Sequence, residues 1–213
     1  MHRRKFIAAS AAALATIPGL SQNLNPNRKG PPDAPEPFIQ IVPPVPLEAY
    51  KVHAIVAFTC PVCAHYHGIL SGWGASIPAK FSFDFLPSVT DRDSTTTAMA
   101  WLAMKKAAPE KLNALATVLF TGIQERGLSP SAPDGALWKI VMRELGPTPG
   151  FSAALKSIRP EEIAFLTKKI SAFQVKATPS LVVSGRYVIT PDHANGDEAL
   201  FIQLANGMVS KSM

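Results

Sequence analysis

The chain has 213 residues, 47% of them hydrophobic and 17% charged, with a net charge of +6. That composition excludes a disordered chain and is enough for one domain with a real core, or one domain carrying a sizeable insertion. Three of the positive charges (Arg3, Arg4 and Lys5) sit at the very start and no dense Lys/Arg cluster follows, so the basic balance is a solvated surface and nucleic acid is not an expected partner.

The first residues, His2-Arg3-Arg4-Lys5-Phe6-Ile7 followed by a short apolar run to Ile17, have the form of an export signal too short to span a membrane. We assign it residues 1–20. Arg3-Arg4-Lys5-Phe6-Ile7 resembles the core of a twin-arginine motif, with His2 where Ser or Thr is usual; ordinary secretory export also fits. Residues 21–37, rich in Asn, Pro and Gly, form a linker. Phe38–Val42 can be a first short strand, and the prolines after it confine that strand to a sheet edge.

Lys51 to Thr59 reads as a buried strand leading into Phe58-Thr59-Cys60-Pro61-Val62-Cys63-Ala64-His65-Tyr66. This stretch holds both cysteines of the chain, two residues apart. Cys60 opens a helix and Pro61 stands in its first turn, where a missing N–H costs nothing. Free N–H groups and the helix dipole favour the thiolate form of Cys60, with Cys63 one turn on, close enough to close a small disulfide ring. A thiolate that attacks a disulfide, with a neighbouring thiol to resolve the product, suits this spacing. A zinc or copper site using Cys60, Cys63 and His65 or His67 is a second reading; residues two apart on a helix do not share a face, which counts against it. An inert structural disulfide is a weaker third, because so short a loop restrains little of the unfolded chain.

The helix is expected to reach about Ser71, where Gly72 and Gly74 interrupt it. Phe81–Leu86 alternates as a strand ended by Pro87. Helical periods then fill some eighty residues. Asp93 or Ser94 caps the first of these helices, and the last opens at Arg159-Pro160-Glu161-Glu162 with a stripe of Ile163, Leu166, Ile170 and Phe173. Trp101 and Trp138 read as core. Ser180–Ser184 and Tyr187–Ile189 form a hairpin turning at Gly185, and residues 196–207 a closing helix that buries Leu200, Phe201 and Leu204.

This order, with Cys60-Pro61-Val62-Cys63 heading the first helix and Val175-Lys176-Ala177-Thr178-Pro179-Ser180 before the hairpin, resembles the periplasmic DsbA family of thiol–disulfide oxidoreductases over roughly residues 38–209. The resemblance implies an α/β, thioredoxin-like fold with an inserted helical domain. Residues 38–91 and 158–213 would form the thioredoxin-like part and 92–157 the insertion. It also implies that Pro179 is a cis-proline facing the cysteines. Thr178, Pro179, Cys60 and Cys63 would then make the site, with Cys60–Cys63 as the redox-active disulfide and a Thr178 hydroxyl able to donate to Cys60.

The expected activity is introduction of disulfides into exported proteins in the periplasm, with no cofactor or metal, as a monomer reoxidised by a membrane partner. Disulfide reduction or isomerisation, a copper or zinc chaperone, and a redox-inert peptide-binding module are the alternatives. Two departures stand out. Ala54 occupies the place, six residues before Cys60, where thioredoxin-like enzymes often carry a buried acid, so His53, water or the substrate would have to move the proton of Cys63. Val62 stands where many DsbA proteins have His. The insertion contains no cysteine or histidine, and is expected to shape the groove without supplying a chemical group.

Overall fold

The computed structural model describes residues 37–213. The export signal and all but the last residue of the linker lie outside them. Five strands form one sheet in the order β1-β5-β4-β2-β3. They are β1 (Ile39–Gln40), β2 (Lys51–Val56), β3 (Ser82–Pro87), β4 (Ser180–Val183) and β5 (Tyr187–Ile189). β2 runs parallel to β3 and antiparallel to β4, which places the strand leading to the cysteines inside the sheet. β1 pairs with β5 at an edge, as its flanking prolines require.

Alternation along the strands sorts two cores. Val52, Ala54 and Val56 of β2 join Phe85, Leu181, Val183 and Ile189 on one face, under helices α1 (Pro61–Ser76) and α7 (Glu198–Lys211). Ile55, Val182 and Val188 point the other way, toward Leu166 and Phe173 at α6 (Pro160–Ala172). Both faces of the sheet are covered, which is why its inner strands are apolar at nearly every position. The hairpin turns at Ser184-Gly185, both with positive φ, and a Cβ on Gly185 would lie 2.9 Å from the Val45 carbonyl oxygen.

Between β3 and α6 come α2 (Arg92–Ala107), α3 (Leu112–Phe120), α4 (Ala136–Leu145) and α5 (Phe151–Ser157). This is a thioredoxin-like α/β fold with helices inserted after the second of its parallel strands. We propose 38–91 with 158–213, and 92–157, as its two parts; α2 packs on β3 and on α6 as well as on α5, joining them.

Three local expectations need correction. α1 does not stop near Ser71 but runs through Gly72 and Gly74 to Ser76. Trp73 is buried there with its indole N–H on Asn206 Oδ1 at 2.8 Å, and Gly74 faces the Phe83 ring; that packing outweighs the poor helix propensity of the glycines. The cap of α2 is Asp91, which accepts from the Ser94 backbone N–H at 2.8 Å, while Asp93 accepts from Ser129 and Ser131 across the insertion. In α7 the cap is Asp197, and Leu200 points outward at 38% exposure; Phe201, Ala205, Met208 and Val209 form the buried stripe and Leu204 is half-buried. Trp101 is core as expected, and Trp138 is half-buried.

Candidate active site

The apolar β2 ends at Val56, the chain turns at Ala57–Cys60, and α1 begins at Pro61. Cys60 is the N-cap of α1, and its Sγ accepts the Cys63 backbone N–H at 3.3 Å. On its other side the Cys60 thiol donates to the Thr178 carbonyl oxygen at 3.3 Å, across 118 positions of sequence. The Thr178–Pro179 peptide bond is cis. All four residues named from the sequence therefore come together at the head of α1, Cys60 as its N-cap and Cys63 in its first turn, with Thr178 and Pro179 on the loop before β4.

The two sulfurs differ in surroundings. Cys60 is partly exposed; Cys63 is fully buried, with the Ala57 N–H donating to its Sγ at 3.4 Å. Burial pushes the Cys63 thiol up to about 12, against the Thr178 hydroxyl and the Ala57 amide, while the neighbouring Cys60 adds to the rise. Thr178 meets Cys60 through its backbone carbonyl.

His53 is not a proton carrier for Cys63, because β2 alternation puts it on the opposite face of the sheet. There it bonds Glu48 through Nε2 at 2.5 Å and stacks on Phe173. Burial and the nearby Lys169 hold its pKa below the ordinary value. The residue level with the site is Ala54, so no acid approaches Cys63 from this strand.

The two helix histidines diverge. Exposed His65 bonds Glu198 at 2.6 Å, while His67 is buried between Phe85 and Phe120, and desolvation lowers its pKa. Among the described residues no group of three His, Cys, Asp or Glu side chains is placed to hold a metal ion.

Two features were missed in the sequence. Gln124, from the inserted segment, donates through Nε2 to the carbonyls of Phe58 and Cys60 at 2.9 and 3.0 Å. A lone glutamine among helical periods carries no signal of its own. The second is an open groove of about 320 Å³ beside Thr178, lined by Ile55, Ala57, Val89, Ile170 and Val175 among others. Its walls come from four separate segments, so no local pattern announces it.

A partly exposed cysteine caps the helix, a buried thiol lies one turn behind it, and the loop with the cis Thr178–Pro179 bond touches the first through the Thr178 carbonyl. No family model and no curated protein sequence matches the chain. Solved structures do. DsbA of Pseudomonas aeruginosa superposes with a TM-score of 0.71 at 20% identity, over 82% of this chain and 91% of that one. DsbA of Xylella fastidiosa gives 0.66 at 24% identity, over 82% and 94%. SrgA of Salmonella enterica serovar Typhimurium gives 0.65 at 21% identity, over 83% and 99%. The chain has the DsbA-like fold.

Proposed function

We propose that the protein is a thiol–disulfide oxidoreductase that passes a Cys60–Cys63 disulfide to exported proteins. The observation that carries this reading is the placing of the Cys60 sulfur, on a partly exposed residue and held between the Cys63 N–H and the Thr178 carbonyl. In the oxidised enzyme a substrate thiolate attacks Cys60 Sγ, the Cys60–Cys63 bond breaks, and Cys63 leaves with the electron pair. The surroundings of Cys63 favour its protonated form, so it takes up a proton, from water or the substrate because β2 offers none. A second substrate thiolate then attacks the substrate sulfur of the mixed disulfide and releases Cys60 as thiolate. The substrate gains a disulfide and loses two electrons, which the enzyme now carries as its two thiols.

Thr178 and Pro179 shape the place where substrate backbone meets Cys60, and the apolar groove beside Thr178 suits an extended chain with apolar side chains. The signal-like N-terminus supports a periplasmic setting. Reoxidation by a membrane partner and a monomeric state belong to the same reading. Among the described residues no helix is long and apolar enough to cross a membrane.

Two measurements test the proposal. The wild-type protein and Cys60→Ser are each mixed with a reduced two-cysteine peptide and oxidised glutathione, and the peptide disulfide is followed. Catalysis by wild type that is absent in Cys60→Ser is the expected result; equal rates sink the proposal. Equilibration in glutathione buffers then gives the potential of the pair. A tenfold change in the equilibrium constant is about 30 mV for this couple, so an oxidant separates clearly from a reductase, and a strongly reducing value would replace the oxidase role.

A further inference from the structure

We infer that Gln124 is a positioning residue for Cys60, and that the inserted segment controls the reactivity of the cysteine pair through it. The inference rests on the reading of Cys60 as the sulfur that exchanges with substrate. Gln124 lies in a π-helical turn, Thr121–Glu125, at the end of α3. There the Arg126 N–H donates to the Thr121 carbonyl five residues back, at 3.2 Å. The extra residue in the turn rotates the following side chains away from the α-helical pattern, and such turns occur frequently at functional sites. Gly122 lets α4 pack close against the turn, since a Cβ there would lie 2.3 Å from Leu137 Cδ1.

The rotated Gln124 amide spends both of its N–H groups on the cysteine loop, on carbonyls that flank Thr59. Cys60 O already accepts the Ala64 N–H at 3.2 Å, and Gln124 completes its coordination; among the described residues Phe58 O has no other partner. What this loop must hold still is finely placed. Ala57 N–H to Cys63 Sγ, Cys63 N–H to Cys60 Sγ and Cys60 to Thr178 O run at 3.3 to 3.4 Å, so a shift of a few tenths of an ångström weakens all three. A loop freed from Gln124 spends less time with the Cys63 N–H on the Cys60 sulfur, and the thiolate loses part of its stabilisation.

The test is the pH dependence of Cys60 alkylation by iodoacetamide in the reduced, folded protein. In Gln124→Leu the rate at about pH 7 should fall about fivefold, the worth of one net hydrogen bond, with the pH–rate midpoint moved up and the plateau at high pH kept. Gln124→Glu, which sets a carboxylate against two carbonyl oxygens, should show a larger shift in the same direction. If the leucine variant does not fold, Gln124→Met keeps the length of the side chain and is read the same way. Folded variants that melt earlier but keep the wild-type profile would make Gln124 only a brace between insertion and core, and overturn the inference. Alkylation needs no enzymatic activity. A wild type that fails to catalyse peptide oxidation therefore sinks the proposed function, while the alkylation profiles still decide on Gln124.

Discussion

One turn of helix separates Cys60 from Cys63, and burial makes them chemically unlike. The reduced protein treated with limiting iodoacetamide should be labelled at Cys60, and label found first on Cys63 would reverse the roles. Cys63 also makes stability depend on alkali. The native protein holds this proton up to about 12, whereas the thiol's ordinary value is 9.0. Between those values the native state binds the extra proton, so the contribution of Cys63 is complete below the lower value and is lost as pH rises toward the higher one. The urea midpoint of the reduced wild type should therefore drop between about pH 8 and about pH 10 by more than that of Cys63→Ala. Equal drops would place the alkaline sensitivity elsewhere.

Among the elements, α1 is the one whose form departs most from its sequence. Two effects compete at Gly74. Replacing a helical glycine with alanine normally gains about 1 kcal/mol. Here the new Cβ would stand 2.4 Å from Phe83 Cδ1, in a ring packed edge-on to Trp73 and Phe85. Overpacking of this kind costs about 1–3 kcal/mol, and because the clash is with a held ring it wins. Gly74→Ala should unfold at lower urea than wild type, whereas Gly72→Ala, with nothing within 4 Å of its Cβ, should unfold at higher urea. Gain in both variants would mean that Phe83 yields freely. The same comparison explains the helix length: glycine breaks a helix that has nothing to lean on, and α1 leans on β3.

At the scale of the molecule, the face of the sheet remote from the cysteines is tied by charge. Glu48, in the segment before β2, bonds His53 of β2 and Lys169 of α6, the latter at 3.0 Å. Burial disfavours the Glu48 carboxylate, yet its two partners hold its pKa below the ordinary value, and burial first and Lys169 second keep His53 below its own. Both shifts act the same way. An unfolded His53 takes up a proton as pH falls through about 6.5, when the native one does not, so stability falls with acid from there. Glu48 adds a further loss as pH falls through its lowered native value. The thermal midpoint should fall on acidification below about pH 6.5 in wild type and less so in His53→Phe. Glu48→Leu leaves the half-buried Lys169 ammonium without its carboxylate, so it should lower the urea midpoint. A neutral Glu48→Leu, or an acid limb unaltered in His53→Phe, would make the network incidental.

The cysteine pair could be read from the chain because its spacing is local, whereas the Thr178–Pro179 loop was implied only by the resemblance to the DsbA family and meets Cys60 across 118 positions. A C-x-x-C with proline in the first turn puts one sulfur at the helix end and the other one turn inside, whatever surrounds it. Prolines likewise foretold the edge position of β1, and two short apolar runs around a glycine the hairpin at Gly185, since backbone and turn chemistry are local. What lies near the site from far along the chain was decided only by folding. Register in β2 turned His53 away from Cys63 and left Ala54 level with it. The Phe83 ring carried α1 past two glycines, and the π turn at Thr121–Glu125 brought Gln124 onto the cysteine loop. Each of these depends on contacts between residues distant in sequence, and the free energy of such contacts exceeds the propensities that a chain reveals residue by residue.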